Sequence, residues 1–65
     1  MRNPERLYGF YSELTRVHIE HFPDWRFGQF INNFLCWIDI SKKRDPFFIE
    51  EDEMLDFLCE FAKEK

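Results

Sequence analysis

Two prolines constrain this chain more than any other feature. Pro23 and Pro46 interrupt a pattern that is otherwise helical almost throughout. The residue before a proline is driven out of the helical region. The chain is thereby cut into three pieces, each with apolar residues at steps of three and four, the spacing of one helix face. In NPERLYGFYSELTRVHIEHF these residues are Leu7, Phe10, Tyr11, Leu14, Val17, His18 and His21. Asn3 is a favourable N-cap there, Pro4 suits the first helical position and Glu5 the first turn. The second piece has Asp24 as its expected N-cap and a stripe of Phe27, Phe30, Ile31, Phe34, Leu35 and Ile38. Trp25 and Trp37 lie on its flanks. The third, EEDEMLDFLCEFAKEK, opens with acids and closes with lysines, which complements the helix dipole at both ends. Leu55, Leu58, Phe61 and Ala62 form its stripe, widened by Met54 and Phe57. The pattern predicts an all-α, compact three-helix domain, with helices over 4–21, 25–38 and 50–63 and residues 1–65 as a single helical domain. DISKKRDPFF reads as a polar break, after which Phe47, Phe48 and Ile49 are expected to fold back onto the core.

A core built from 65 residues is small. A chain of this length buries only about 60% of its unfolded surface and is marginally stable alone. Its thirteen aromatic residues are therefore decisive, because each buried ring removes roughly 150–250 Å² from water. Phe10, Phe30, Phe34 and Phe61 are expected in the core. Trp25, Trp37, Tyr8, Tyr11, Phe47 and Phe48 are a surplus that so small a core does not easily hide. Trp and Tyr are enriched at protein interfaces, so the surplus predicts a partner surface, on a second copy or on another protein.

Charge is divided between the two ends. Residues 1–44 hold seven Lys/Arg against five acids; residues 45–65 hold eight acids against two lysines, and the net charge is −4. The acids Glu50, Glu51, Asp52, Glu53, Asp56 and Glu60, together with Trp25 and Trp37, are the expected partner-binding residues, suited to a basic protein surface. Nucleic acid is not the expected partner, since such proteins present a basic stripe. A helical DNA-binding domain is an alternative only if Arg16, Arg26, Lys42, Lys43 and Arg44 cluster. In another copy, the basic Lys42–Arg44 run could instead meet the acidic third helix.

Catalytic and metal patterns are absent. His18, His21, Cys36 and Cys59 are too dispersed for the close cysteine pair of structural zinc sites. The serines and threonines lack a nucleophile elbow, and no glycine-rich phosphate loop is present. The expectation is a non-enzymatic protein without cofactor. There is no apolar run of the roughly 20 residues that span a bilayer and no secretory pattern at the N-terminus. The protein is expected in the cytoplasm, with reduced cysteines.

PDWRFGQFINNF followed by DPFFIEEDEMLDFL resembles a family of small uncharacterised proteins of Gram-positive bacteria and their phages. The matching residues are Pro23, Asp24, Arg26, Phe27, Gly28, Gln29, Asp45, Pro46, Phe47, Ile49, Glu50, Asp52 and Glu53. The resemblance covers about residues 23–62. It implies a recurrent helical fold and a phage or mobile-element origin, with no established activity. The pairing of the two motifs suggests a structural clasp of Arg26, Phe27, Gly28, Asp45, Phe47 and Phe48. In it Arg26 reaches Asp45 or Glu53, and Gly28 lets Phe47 or Phe48 lie against the second helix. The functional expectation is a small protein–protein interaction module, such as a phage-encoded inhibitor of a host defence or nucleic-acid-processing protein. The alternative is a homo-oligomer with no foreign ligand.

Overall fold

A computed structural model describes residues 2–64 and is an all-α three-helix domain. The helices are α1 (Arg6–His21), α2 (Phe27–Trp37) and α3 (Glu51–Glu64). A π-helical turn, Ile38–Lys42, extends α2, and a 3₁₀ turn, Pro46–Phe48, precedes α3. No helix among the described residues is long and apolar enough to cross a membrane.

Three element ends differ from the sequence expectation. Asn3 does not cap an α-helix directly. Its side chain accepts from the Glu5 N–H at 3.0 Å, and tight turns follow, so α1 begins at Arg6. Asp24 is not the N-cap of α2; that position falls to Arg26, whose backbone N–H donates to Gln29 Oε1 at 2.8 Å. The shift follows from Trp25, which turns back through its N–H to the Phe22 carbonyl and stacks on the Phe22 ring. The break after α2 also comes later. Helical winding continues to Lys42, and the reversal is made by Lys43 in the left-handed region, φ 56°. No glycine marks that reversal.

The core is entirely apolar: Val17, Phe22, Phe30, Phe34, Trp37, Ile38, Ile49, Leu58, Phe61 and Ala62. Phe61 is its centre. Its ring lies 5.3 Å from Phe22, 5.4 Å from Phe34 and 5.5 Å from Trp37, centroid to centroid. Offset and tilted aromatic contacts of this kind add to simple area burial. Phe22, not expected in the core, is buried because it seats the turn before Pro23. Phe10 is only half-buried. Cys36 and Cys59, each within an apolar run, are exposed free thiols.

Backbone approach is closest between α1 and α3, and sparser between α2 and α3. The result is slightly open. The radius of gyration is 11.7 Å, against about 10.7 Å expected for this length.

Candidate interaction surface

The acidic residues do not form a free surface. Arg2 pairs with Glu50, Arg6 Nε with Glu51 at 2.9 Å, and Lys42 Nζ with Glu60 at 2.9 Å. Arg44 grips Glu53 through two hydrogen bonds, 2.8 and 3.0 Å. Thus four of the six acids expected to face a partner are engaged within the chain. Hydrogen bonds from Arg6 and from Arg44 hold the Glu51 and Glu53 carboxyls below their ordinary pKa. Asp52 and Asp56 are exposed and join no ion pair among the described residues. Two of the three residues of the basic cluster, Lys42 and Arg44, are engaged in the same pairs, while Lys43 is exposed and joins none among the described residues. Lys42 also lies 5.5 Å over the Trp37 ring and 5.7 Å over Phe57, a favourable cation–π placement. Arg16 is held by Glu13 and Glu20 on its own helix. The expected pairing of this basic run with another copy's acids is made inside one chain instead.

The two tryptophans are not surface anchors. Trp37 is 9% exposed, and its indole N–H donates to Glu64 at 3.0 Å. Trp25 is half-buried, stacked on Phe22 at 4.5 Å and 10°.

The clasp is not assembled. A Cβ added to Gly28 would meet nothing within 4 Å, so no ring packs there. Phe47 and Phe48 are 84% and 74% exposed. Arg26 makes no ion pair among the described residues; Glu53 is taken by Arg44, and Asp45 accepts from the Phe47 N–H at 3.0 Å. The physical reason is local. Asp45 and Pro46 close a tight turn on themselves, which directs Ile49 inward and leaves both rings outside. Phe27, expected in the α2 stripe, is 68% exposed.

The histidines and cysteines remain apart, and no group of three metal-ligating side chains occurs among the described residues. His18 instead stacks on Phe30, centroids 4.5 Å apart, and its Nε2 lies 2.7 Å from the Trp25 carbonyl. A carbonyl only accepts, so this nitrogen carries the proton.

What the fold does present is an apolar groove of about 360 Å³ between α1 and α2. Phe10, Tyr11 and Leu14 of α1 form one wall, and Phe27, Ile31 and Leu35 of α2 the other. Met54 of α3 and the buried Phe30 and Phe34 also line it. His18 lines it at Phe30, where its ring stack joins α1 to α2. Tyr11 and Phe27 remain largely exposed, whereas Leu14, Ile31 and Leu35 are half-buried. The sequence carried one signal for this surface. Phe27, Ile31 and Leu35 repeat every four residues beside Phe30 and Phe34, so the apolar stripe of α2 is wider than one packing neighbour can cover.

No protein-family model, curated protein or solved structure matches this chain.

Proposed function

We propose that the protein is a small non-enzymatic interaction module whose binding surface is the apolar groove between α1 and α2. The observation that carries this reading is the outer row of α2. Phe27 and Tyr11, both largely exposed, form with the half-buried Leu14, Ile31 and Leu35 an apolar surface that the described chain covers only in part. Contiguous exposed apolar surface on a small protein marks interaction sites. Small-ligand pockets also begin near 300 Å³, but this groove has few polar groups to orient a ligand, which favours an apolar segment of a protein.

The acidic and DNA-binding readings have less support. The internal ion pairs leave mainly Asp52 and Asp56 to meet a basic surface, and they engage Lys42, Arg44 and Arg16, which a DNA backbone would need. The resemblance to phage proteins adds a host protein as a target for the same groove, with inhibition as the simplest consequence of occupying it.

Affinity capture from a lysate of the source cells tests the reading with paired variants. Phe27→Glu is expected to lose proteins that the wild type retains, while Asp52→Asn with Asp56→Asn keeps them. A captured set unchanged by Phe27→Glu, and lost in the aspartate variant, would overturn it.

A further inference from the structure

His18 is the polar side chain of the groove whose chemistry its neighbours fix. Its ring is pinned twice. It stacks on Phe30, centroids 4.5 Å apart and planes 24° apart, and its Nε2 donates to the Trp25 carbonyl at 2.7 Å. That carbonyl is held in turn, because the Trp25 N–H donates to the Phe22 carbonyl at 3.1 Å and the indole stacks on the Phe22 ring. With the proton of the neutral imidazole on Nε2, Nδ1 carries a lone pair and only accepts. Nδ1 receives no hydrogen bond from the described residues, and no unpartnered polar side-chain atom among them is buried. It is therefore open to a donor from outside. Thr15 and Tyr11 also line the groove, but a hydroxyl both donates and accepts and sets no such requirement.

We infer that the groove seats one tryptophan side chain of a partner protein, whose indole N–H donates to His18 Nδ1. This rests on the reading of the groove as a binding surface and names the residue it recognises. Size is the first argument. A groove of about 360 Å³ suits a single aromatic side chain, whose burial removes roughly 150–250 Å² from water, and not a whole interface. The walls are the second. Exposed Tyr11 and Phe27 form their outer parts, and half-buried Ile31, Leu35 and Met54 lie further in. These are flat or apolar surfaces for a ring, and a methionine sulfur is favourable beside an aromatic. The third is the lone pair on Nδ1. In an apolar surround it calls for a ring with a donor and no acceptor, and among side chains indole is that ring. A phenylalanine would strip water from Nδ1 and leave it unpaired, which is costly, and a tyrosine would bring an acceptor oxygen as well. A buried aromatic anchor in a pocket is also what dominates the energy of many protein interfaces, with tryptophan among the enriched residues.

Titration of the full chain with N-acetyltryptophanamide, followed by nuclear magnetic resonance, tests this, with the ring-N-methylated analogue as the control that lacks the donor. Both compounds are expected to shift the methyl signals of Ile31 and Leu35. The parent compound should bind about 3- to 10-fold more tightly, the range of one net hydrogen bond, and it alone should move the His18 Nδ1 nitrogen signal. His21, exposed and outside the groove, should not respond to either. His18→Phe keeps a flat ring against Phe30 and should erase the difference between the compounds; if losing the Trp25 bond unfolds that variant, the comparison on the wild type decides alone. Equal affinity for the two compounds, with Ile31 and Leu35 shifting, would overturn the tryptophan assignment and leave the groove as a binding surface. Methyl shifts with free indole but none with N-acetyltryptophanamide would mean that the site takes a small free molecule, and would overturn it too. No shift with any of the three would overturn the inference, while the capture experiment with Phe27→Glu tests the groove separately.

Discussion

α2 carries two rows of apolar residues that differ in what covers them. The inner row, Phe30, Phe34 and Trp37, meets α3 and the aromatic ring system around Phe61. The outer row, Phe27, Ile31 and Leu35, faces a groove whose far wall is Phe10, Tyr11 and Leu14. Chemically the rows are alike, and both follow helical spacing. The difference is made by α3, which packs along α1 and fills only one side of α2. Apolar character thus sets which surfaces seek cover, and the placement of the third helix decides which one receives it. The inner row serves stability, and the outer row is the surface on which the proposed function rests.

The largest expected effect breaks the inner side. Phe61→Ala removes a ring in contact with Phe22, Phe34 and Trp37. Such core truncations cost about 3–5 kcal/mol, and a core of this size supplies little more than that. The variant should be largely unfolded at 25 °C by far-ultraviolet circular dichroism. Phe27→Ala, on the outer side, should shift stability by no more than about 0.5 kcal/mol, as surface changes do. Similar losses from both would erase the distinction between the rows.

The glycines sharpen it next. Gly9 and Gly28 each have open space where a Cβ would stand, and neither has positive φ. Glycine inside a helix is less favourable than alanine by about 0.5–1 kcal/mol. Gly9→Ala and Gly28→Ala should each raise the melting temperature by several degrees or less. A fall with Gly28→Ala would restore a close contact at that position. Lys43 sits in the left-handed region, which costs a non-glycine residue about 1–2 kcal/mol. Lys43→Gly should give a smaller net gain, about 0.5 kcal/mol, because glycine also frees the unfolded chain.

The smallest effect is electrostatic. Glu51 and Glu53 are held below their ordinary pKa by hydrogen bonds from Arg6 and Arg44. A group that binds its proton more weakly when folded stabilises the fold above its unfolded pKa, near 4.3. That contribution is lost as the pH falls through the depressed folded value. The melting temperature should therefore carry an acid limb below about pH 4, which Glu53→Gln reduces and which added salt weakens. An acid limb unaffected by Glu53→Gln would remove this carboxylate from the account.

Much of the fold was legible in the sequence. Proline breaks and three-and-four spacing placed three helices, because those rules act within a single segment. Phe30 and Phe34 of the inner row, and Phe61, followed from the same periodicity. The site was less legible. Whether Glu53 meets Arg44 or a partner depends on how the π-helical turn aims the basic run, and that turn has no glycine to announce it. Phe47 and Phe48 belonged to the aromatic surplus and were expected to fold back with Ile49, yet Asp45 and Pro46 close the turn so that only Ile49 faces inward. Trp37 read as surface surplus, but its indole N–H finds Glu64 on α3, a pairing across 27 residues that periodicity does not encode.

The central claim is that α2 has one covered and one open apolar row. Paramagnetic broadening of side-chain methyl signals by a soluble relaxation agent, in dilute protein, tests it most directly. The account predicts strong broadening of Ile31 and Leu35 and little for Ile38 and Leu58, which are 0% and 1% exposed. Equal protection of all four would mean that the groove is closed and would contradict the account.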